Sequence, residues 1–311
     1  MEIKKISTEK LIDLNKHPRP NSFEEFIWQE HIKWVLKTAI KSAQKRDSHM
    51  WHILFSWPSG FGKTTIAHII SKQWNIWIKA VTWYAISKPS EIVSILNSLE
   101  SWDILFIDEI HRLKPNIEEV LYIAMEDFVI DMVMPEWWSV RIPINPFTLI
   151  WATTKSESLS QPIKNRFIYN FHFMDYSPEE KKILIKKYLT EYKINFDDTI
   201  LSHISSKVDA VPREIHNMCI KIRDFLVSRN EKTLDENLRN QFILHSKIDD
   251  GGITPLHKKY LEILKKADRP MWSKAIAVQL GINEKAVEED VEPLLLKLWK
   301  IEKTAWGRVI I

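Results

Sequence analysis

Glycine is scarce in this chain, since it provides only 6 of 311 residues, whereas roughly 7% of a chain is usual. Tryptophan is correspondingly abundant, with 14 residues. Together the two make up about 6% of the chain, close to the usual share of glycine alone. Several tryptophans stand where a tight turn favours glycine, among them Trp57, Trp137, Trp138 and Trp306. We therefore hypothesise that UGA codons meaning glycine have been read as tryptophan. The alternative is a protein naturally rich in tryptophan, which UGG codons at these positions would establish.

Other absences narrow the class of protein. The single cysteine, Cys219, excludes an internal disulfide framework and is typical of a reducing cytoplasm. No apolar run approaches the ~20 residues that a membrane-spanning helix needs. Residues 1–6 lack the apolar segment of a signal peptide, so we expect a cytoplasmic protein with no membrane contact. The net charge of +3 permits nucleic acid binding without arguing for it.

The stretch 52–67 has the order of a phosphate-binding loop, with an apolar strand pattern, a loop and then a helical pattern. Backbone N–H groups of such a loop surround the phosphates, Lys63 supplies a positive charge, and the Thr64 hydroxyl reaches Mg²⁺. The expected nucleotide-binding residues here are Gly60, Gly62, Lys63, Thr64 and Thr65. The pattern requires glycine at its first position, where this chain has Trp57. Taken alone, the motif also fits a strand-to-helix turn without a ligand.

A second motif lies downstream in the strand pattern 103–108, where the apolar run 104–107 is followed by Asp108 and Glu109. This pattern predicts a buried parallel strand that delivers two carboxylates at its C-terminal edge. Asp108 would hold Mg²⁺, and Glu109 would orient and deprotonate the attacking water. The pair is a weak signal alone, but behind a phosphate-binding loop it predicts a nucleotide-hydrolysing core.

The order of patterns predicts separate domains. Strand and helix patterns alternate from 52 to 154, which predicts a parallel sheet covered on both faces. An amphipathic helix is expected over 22–46 and a hairpin over 129–144. From 177 to about 245 the pattern is all helical, beginning with the capping signal Ser177-Pro-Glu-Glu180. The glycines and proline of 247–255 indicate a linker, and three short helices followed by a hairpin then predict a winged helix.

Several stretches of this chain resemble the RuvB family, the AAA+ motors of bacterial Holliday junction branch migration. The stretches are Arg19-Pro20, Phe26-Ile-Trp-Gln-Glu30, Ile107-Asp-Glu-Ile-His-Arg-Leu113, Ala124-Met-Glu-Asp-Phe128, Trp151-Ala-Thr-Thr154, Asn165-Arg-Phe167, Val211-Pro-Arg213 and Ile222-Arg-Asp-Phe225. The resemblance covers nearly the whole chain. Most tryptophans compared in this way fall on family glycines: Trp28, Trp57, Trp83, Trp102, Trp151, Trp272 and Trp299. This agrees with the codon hypothesis independently of composition.

The resemblance implies catalytic roles that spacing alone does not give. Thr154 matches the first sensor, a polar group near the γ-phosphate, although a strand-end threonine satisfied by backbone is the alternative. Arg166 matches the arginine that reaches a neighbouring subunit's nucleotide, and Arg213 matches the second sensor. Arg166 is therefore the candidate arginine finger. The family usually has another arginine two residues earlier, where this chain has Lys164. Lysine keeps the positive charge but lacks the planar guanidinium group.

The resemblance also implies binding residues. Pro18, Arg19 and Tyr176 match the adenine pocket, and Glu126, Asp127 and Phe128 match further nucleotide-binding positions. In the terminal hairpin, Lys303 and Arg308 match positions that contact the DNA backbone, with a solvated hairpin as the alternative. The hairpin 129–144 resembles the element that docks the junction-binding partner, RuvA, although its apolar side chains also fit a plain core.

The architecture implied is an N-terminal segment 1–20, an AAA+ large ATPase domain 21–176, a helical lid domain 177–246 and a winged-helix DNA-binding domain 247–311. The function implied is an ATP- and Mg²⁺-dependent motor, a homo-hexameric ring that drives duplex DNA through four-way junctions in recombination and repair. Two alternatives stay open at this point. One is a clamp-loader-like AAA+ ATPase, and the other, if Trp57 is genuine, is a DNA-binding ring subunit that does not turn over nucleotide.

Overall fold

The structure, a computed structural model, describes residues 20–27, 29–56, 60–109, 113–133, 139–154, 159 and 161–311. The chain divides into two compact units, 1–175 and 176–311. Within the described ranges, no helix combines the length and the apolar content that crossing a bilayer demands.

The first unit alternates strands with helices along the chain. Its helices are α1 (Glu30–Arg46), α2 (Lys63–Trp74), α3 (Pro89–Asn97), α4 (Pro115–Asp127) and α5 (Gln161–Lys164). Its strands are β1 (Ile53–Ser56), β2 (Ile78–Thr82), β3 (Ile104–Asp108), β4 (Val129–Val133), β5 (Ser139–Pro143), β6 (Thr148–Thr153) and β7 (Tyr169–His172). The strands β4 and β5 pair antiparallel as a hairpin, and residues 134–138 between them lie outside the described part.

The central parallel sheet has the strand order β2-β3-β6-β1-β7. Strands β1, β3 and β6 are almost wholly buried, as expected of parallel strands covered on both faces. Their apolar side chains pack with those of α3, α4 and α5 into one core. Because β6 lies between β1 and β3, the C-terminal ends of these three strands lie side by side. Polar residues that follow them are therefore brought to one edge of the sheet.

Helix α1 begins later than the apolar pattern predicts. The prediction placed its start at Ser22, whereas residues 22–26 form a turn and the helix begins at Glu30, after Gln29 in a left-handed conformation (φ 49°). The ammonium group of the buried Lys33 donates hydrogen bonds to the carbonyls of Phe23 (3.2 Å) and Phe26 (2.8 Å). The turn therefore packs its two phenylalanines into the core while a side chain satisfies its carbonyl groups.

The second unit is mostly helical. Its helices are α6 (Pro178–Glu191), α7 (Asp198–Ser206), α8 (Pro212–Ser228), α9 (Glu236–Ser246), α10 (Pro255–Ala267), α11 (Ser273–Leu280), α12 (Glu284–Ala286) and α13 (Glu292–Lys297). Its strands are β8 (Asn195–Phe196), β9 (Thr233–Leu234), β10 (Ile301–Thr304) and β11 (Gly307–Ile310). The predicted cap of α6 is present, because Ser177 and Glu180 each accept the other's backbone N–H. The short pair β8–β9 interrupts the region predicted to be all helical.

The terminal segment has the predicted helices and hairpin, with one departure. The last of the three predicted short helices is interrupted, because a π-helical turn, 287–291, separates α12 from α13. Pro293 has no N–H to donate to the preceding turn, which accounts for the break. Strands β10 and β11 pair antiparallel, and Met271 bridges to Arg308. At Gly307 (φ 131°) an added Cβ would lie 2.6 Å from the carbonyl oxygen of Met271, so only glycine fits.

The segment predicted to be a linker is tied down on both sides. The ammonium group of Lys207 lies 2.9 Å from the carboxylate of Asp250. Gly252 (φ 88°) packs so closely that an added Cβ would lie 3.1 Å from the backbone nitrogen of Asp209. The carboxylate of Asp209 in turn accepts a hydrogen bond from Lys297 at 2.6 Å. The helical and terminal segments of the second unit are thus held together by charged and backbone contacts.

Several tryptophans occupy positions that suit glycine. Trp102 (φ 75°) and Trp299 (φ 52°) lie in the left-handed region. After α13, the N–H groups of Trp299 and Lys300 bond back to the carbonyls of Leu296 and Leu295, the Schellman pattern in which glycine is usual. The indole Nε1 of Trp151 is buried without a hydrogen-bond partner, which costs about 1–3 kcal/mol. Backbone geometry therefore supports the codon hypothesis at residues that composition did not single out.

Candidate functional site

The phosphate-binding loop connects the buried strand β1 to α2. Gly60 (φ 95°) and Gly62 (φ 90°) both have left-handed backbone conformations, which glycine adopts without strain. An added Cβ at Gly62 would lie 3.4 Å from the ring of Phe26. No side chain caps the start of α2, and the N-terminus of a helix favours an anion. Trp57, Pro58 and Ser59 lie outside the described residues.

Three of the predicted residues meet at the C-terminal edge of the sheet. Lys63 begins α2 and is only 6% exposed, and its Nζ lies 3.4 Å from Oε1 of Glu109. The hydroxyl of Thr154 donates a hydrogen bond of 3.0 Å to the other carboxylate oxygen of Glu109. These residues follow β1, β3 and β6, so the strand order itself assembles them.

Asp108 and Glu109 point differently although they are adjacent. Asp108 is the last residue of β3, and its Oδ1 accepts the N–H of Glu109 at 3.0 Å. Glu109 has a left-handed conformation (φ 55°), which costs a non-glycine residue about 1 kcal/mol. The contacts with Lys63 and Thr154 hold the carboxylate in place.

The residues present fit a nucleotide with Mg²⁺. In the described part of the chain, no group of three or more His, Cys, Asp or Glu side chains could hold a metal ion by itself. Protein-bound Mg²⁺ usually takes one or two carboxylates and completes its shell with phosphate oxygens and water. The half-buried Thr64 and Asp108 supply a hydroxyl and a carboxylate for that arrangement. The donor set therefore suits a metal ion that enters together with a triphosphate.

Arg166 lies just after α5 and contacts side chains of α4. Its guanidinium carbon lies 4.5 Å from the ring centroid of Tyr122, and Nη2 donates hydrogen bonds to the Tyr122 hydroxyl and to Oε2 of Glu126 (2.5 Å for the latter). The next residue, Asp127, ends α4, and Phe128 follows in a left-handed conformation (φ 52°). The predicted residues Glu126 and Asp127 are both exposed, and Glu126 contacts the predicted finger.

The remaining predicted nucleotide contacts lie elsewhere. Tyr176 is buried at the start of the second unit, and burial raises the pKa of its hydroxyl. Arg213 is exposed in the first turn of α8 in the same unit. Pro18 and Arg19 lie outside the described residues. The assignment of these four residues to nucleotide binding stays a prediction.

His52 has a role that the sequence did not reveal. Its Nδ1 accepts the N–H of Leu149 at 2.9 Å, so Nε2 carries the proton and donates to the carbonyl of Met125 at 3.0 Å. Burial lowers the pKa of His52 to about 4, which keeps the ring neutral at physiological pH. The residue therefore ties the end of α4 to the sheet. In the sequence it stands only as the first residue of a strand pattern, and its partners are distant along the chain.

A buried carboxylate organises the terminal hairpin. Glu292 is fully buried and accepts hydrogen bonds from Arg308 Nε (2.9 Å) and from the hydroxyl of Tyr260 (3.1 Å), while Lys303 Nζ lies 2.8 Å away. Arg308 also pairs with Glu288 at 2.8 Å. Burial by itself would raise the pKa of Glu292, but Arg308 and Lys303 outweigh it and the pKa is lowered. The Arg308 guanidinium, predicted to contact DNA, is mostly committed to this network.

Replacing Arg308 with methionine is expected to destabilise the terminal segment by about 3 kcal/mol, because it leaves a buried carboxylate with one fewer cation. Hydrogen exchange in β10 and β11 would measure the loss. Lys300→Met, at an exposed position, is the control and should leave exchange unchanged. Arg308→Met could instead keep its stability, weaken DNA binding and reduce the slope of log K against log salt concentration by about 1. In that case Arg308 is a phosphate contact.

Two family models match this chain, one in its N-terminal part and one at its C-terminal end. Residues 18–173 match the Holliday junction DNA helicase RuvB P-loop domain. Residues 250–311 match the RuvB C-terminal winged helix domain. The predicted fold class is thereby confirmed, with a P-loop parallel sheet, a helical region and a winged helix.

Full-length relatives are also similar. The Holliday junction branch migration complex subunit RuvB of Helicobacter pylori (strain P12) is 38% identical over 295 residues, which cover 94% of this chain and 88% of that protein. The same subunit from Campylobacter lari is 37% identical over 99% of this chain and 93% of that protein. The solved Thermotoga maritima RuvB Holliday junction branch migration motor superimposes with a TM-score of 0.82 at 32% identity, covering 94% of this chain and 95% of that one.

Proposed function

Because this chain belongs to the RuvB family of Holliday junction branch migration motors, we propose that it hydrolyses ATP to move four-way DNA junctions during recombination and repair. The observation that carries the proposal is the cluster of Lys63, Glu109 and Thr154 at one edge of the parallel sheet. The corresponding domains are an N-terminal segment 1–20, an AAA+ large domain 21–176, a lid 177–246 and a winged helix 247–311. The winged helix favours a DNA motor over a clamp-loader-like ATPase.

Hydrolysis follows from the charges at this edge. The loop amides after Gly60, together with Lys63 and Thr65, bind the phosphates of ATP. Thr64 and Asp108 would hold Mg²⁺, which when bound would neutralise charge on the phosphate oxygens. The Glu109 carboxylate orients the attacking water and takes its proton. Lys63 and Thr154 keep this carboxylate fixed, and Thr154 is the polar sensor of the γ-phosphate.

In a ring of subunits, further side chains complete the nucleotide site. Arg166 reaches the neighbouring subunit's nucleotide from beside Glu126, Asp127 and Phe128, and it stabilises charge that develops in the transition state. Arg213 contacts the γ-phosphate from the lid. Pro18, Arg19 and Tyr176 line the adenine pocket. Nucleotide state then shifts the lid against the ATPase domain, and a homo-hexamer converts this shift into translocation.

DNA and partner contacts are assigned to two hairpins. Lys303 pairs with Glu292 at 2.8 Å, but its side chain is 45% exposed and can also approach a phosphate. Arg308 is only 11% exposed and is held by both Glu288 and Glu292. Phosphate contact needs only cations and carries no sequence preference. The hairpin 129–144 exposes Val140, a large apolar side chain outside the core, and this supports docking of a RuvA-like junction-binding partner there.

The test measures ATP turnover with and without a synthetic four-way junction and a RuvA-type partner. We define the parent chain as the full-length protein in whichever form, Trp57 or Trp57→Gly, hydrolyses ATP faster. The junction and partner together are expected to increase turnover by the parent chain and to release branch-migrated duplex products. ATP turnover without branch migration would favour the clamp-loader-like alternative. No turnover by either form would contradict the assignment as an ATPase.

A further inference from the structure

The backbone around Arg166 is fixed from both sides. The N–H of Arg166 bonds to the carbonyl of Ile163 at 3.0 Å, and Ile163 and Phe167 are both buried. The Phe167 ring packs 5.2 Å from that of Trp151 in the core. Only the side chain of Arg166 can therefore change its position appreciably, and its rotamer decides where the charge lies.

Helix α4 selects that rotamer. Tyr122 and Glu126 are four residues apart, so they lie on the same face of the helix. The ring of Tyr122 lies under the guanidinium group (4.5 Å), and both Tyr122 and Glu126 accept hydrogen bonds from Nη2. Stacking on an aromatic face orients the guanidinium plane, which a simple ion pair does not.

The arrangement is stable but leaves one donor unused. The Nε atom of Arg166 is buried and has no hydrogen-bond partner. Part of the guanidinium is nevertheless accessible, because the Arg166 side chain is 33% exposed beside a Glu126 that is 45% exposed. A phosphate oxygen that approached this surface would compete with one exposed carboxylate, while the stacked ring stays in place.

We propose that Tyr122 is the positioning residue of the arginine finger: its ring holds the Arg166 guanidinium in the plane in which it meets the neighbouring subunit's triphosphate. The carboxylate of Glu126 is the counter-ion that the triphosphate displaces. This inference rests on the proposed function, because it needs Arg166 to act at a neighbour's site. Tyr122 itself touches no substrate and acts through Arg166.

Replacing Tyr122 with leucine removes the ring and the hydroxyl together. ATP turnover per subunit is expected to fall about tenfold to a hundredfold, the scale of a misplaced catalytic group, while the KM for ATP changes less than about threefold. Tyr122→Phe keeps the stacking face, so its turnover should stay within about threefold of the parent chain. Parental turnover by Tyr122→Leu overturns the inference, as does a Tyr122→Phe chain that loses as much as Tyr122→Leu.

Subunit mixing separates positioning from a folding defect. Lys63→Ala subunits bind no ATP but carry an intact finger, so rings that mix them with Tyr122→Leu subunits should recover activity. Arg166→Ala mixed with Lys63→Ala is the positive control. Recovery in the control but not in rings that contain Tyr122→Leu subunits overturns this inference and leaves the proposed function intact. No recovery in the control contradicts the finger between subunits, which is the part of the proposed function that the inference needs.

A double variant provides a second measurement. If Tyr122 acts only through Arg166, the chain carrying both Tyr122→Leu and Arg166→Ala should turn over ATP at the rate of Arg166→Ala alone. A further loss in the double variant shows that Tyr122 supports the fold independently of the finger, and this outcome also overturns the inference.

Discussion

Replacing Trp57 with glycine is expected to increase kcat/KM for ATP by at least about a hundredfold, because a phosphate misplaced by about 1 Å already costs that much. The loop must bring backbone N–H groups against the phosphates, and its first position is glycine in the P-loop pattern for that reason. Gly60 and Gly62 have the left-handed backbone conformations that suit such a loop. Steady-state turnover and nucleotide titration of the two full-length chains measure the effect.

The matched control replaces a tryptophan with glycine at a position outside the phosphate-binding loop. Trp77 is 72% exposed just before β2, so Trp77→Gly removes an indole without altering the phosphate loop. It is expected to leave ATP turnover unchanged. Equal turnover by the Trp57 and Trp57→Gly chains would contradict the expected effect of the indole. Peptide mass spectrometry of protein isolated from its native cells separately decides which residue the natural protein carries.

Replacing Glu109 with glutamine is expected to lower ATP turnover by roughly a hundredfold to ten-thousandfold, the range of a general base, while ATP binding changes little. The amide keeps the size of the side chain and can still accept from Thr154, but it takes no proton from water. The loss of negative charge also removes the ion pair with Glu109 that competes with phosphate for Lys63. Binding is measured by titration with a fluorescent nucleotide, and turnover by phosphate release.

Glu100→Gln is the control for this change, because Glu100 is an exposed carboxylate in the loop before β3. Its turnover is expected to match that of the parent chain. If Glu109→Gln hydrolyses ATP at the parental rate, another group deprotonates the water. If it loses binding as well, Glu109 organises the loop and its role in hydrolysis is unsupported.

The sequence was informative wherever a short pattern determines local structure. The strand before Lys63 and the strand ending in Asp108 both lie where their apolar runs predict, because parallel strands buried on two faces need continuous apolar residues. The spacing of the motifs along the chain does not reveal the strand order β2-β3-β6-β1-β7. This order brings Thr154 to Glu109. That contact depends on residues 45 positions apart along the chain.

Tertiary contacts determine what a local pattern leaves open. Residues 22–26 have helical periodicity but form a turn, because Lys33 bonds their carbonyls from inside the core. The 247–255 segment has the composition of a linker, yet ion pairs and a close glycine contact hold it. The DNA-contact role of Arg308 stays a prediction. Its partner Glu292 lies outside the hairpin, so the hairpin pattern alone does not reveal the pairing.

The contact between Asp209 and Lys297 has a mechanical consequence. Asp209 lies in the loop that leads into α8, the helix that carries Arg213, and Lys297 is the last residue of α13. If Arg213 and Lys303 act as proposed, a rotation of α8 would be transmitted through this contact to α13, the helix that precedes the hairpin with Lys303. Nucleotide sensing and DNA contact would then be mechanically coupled within the second unit.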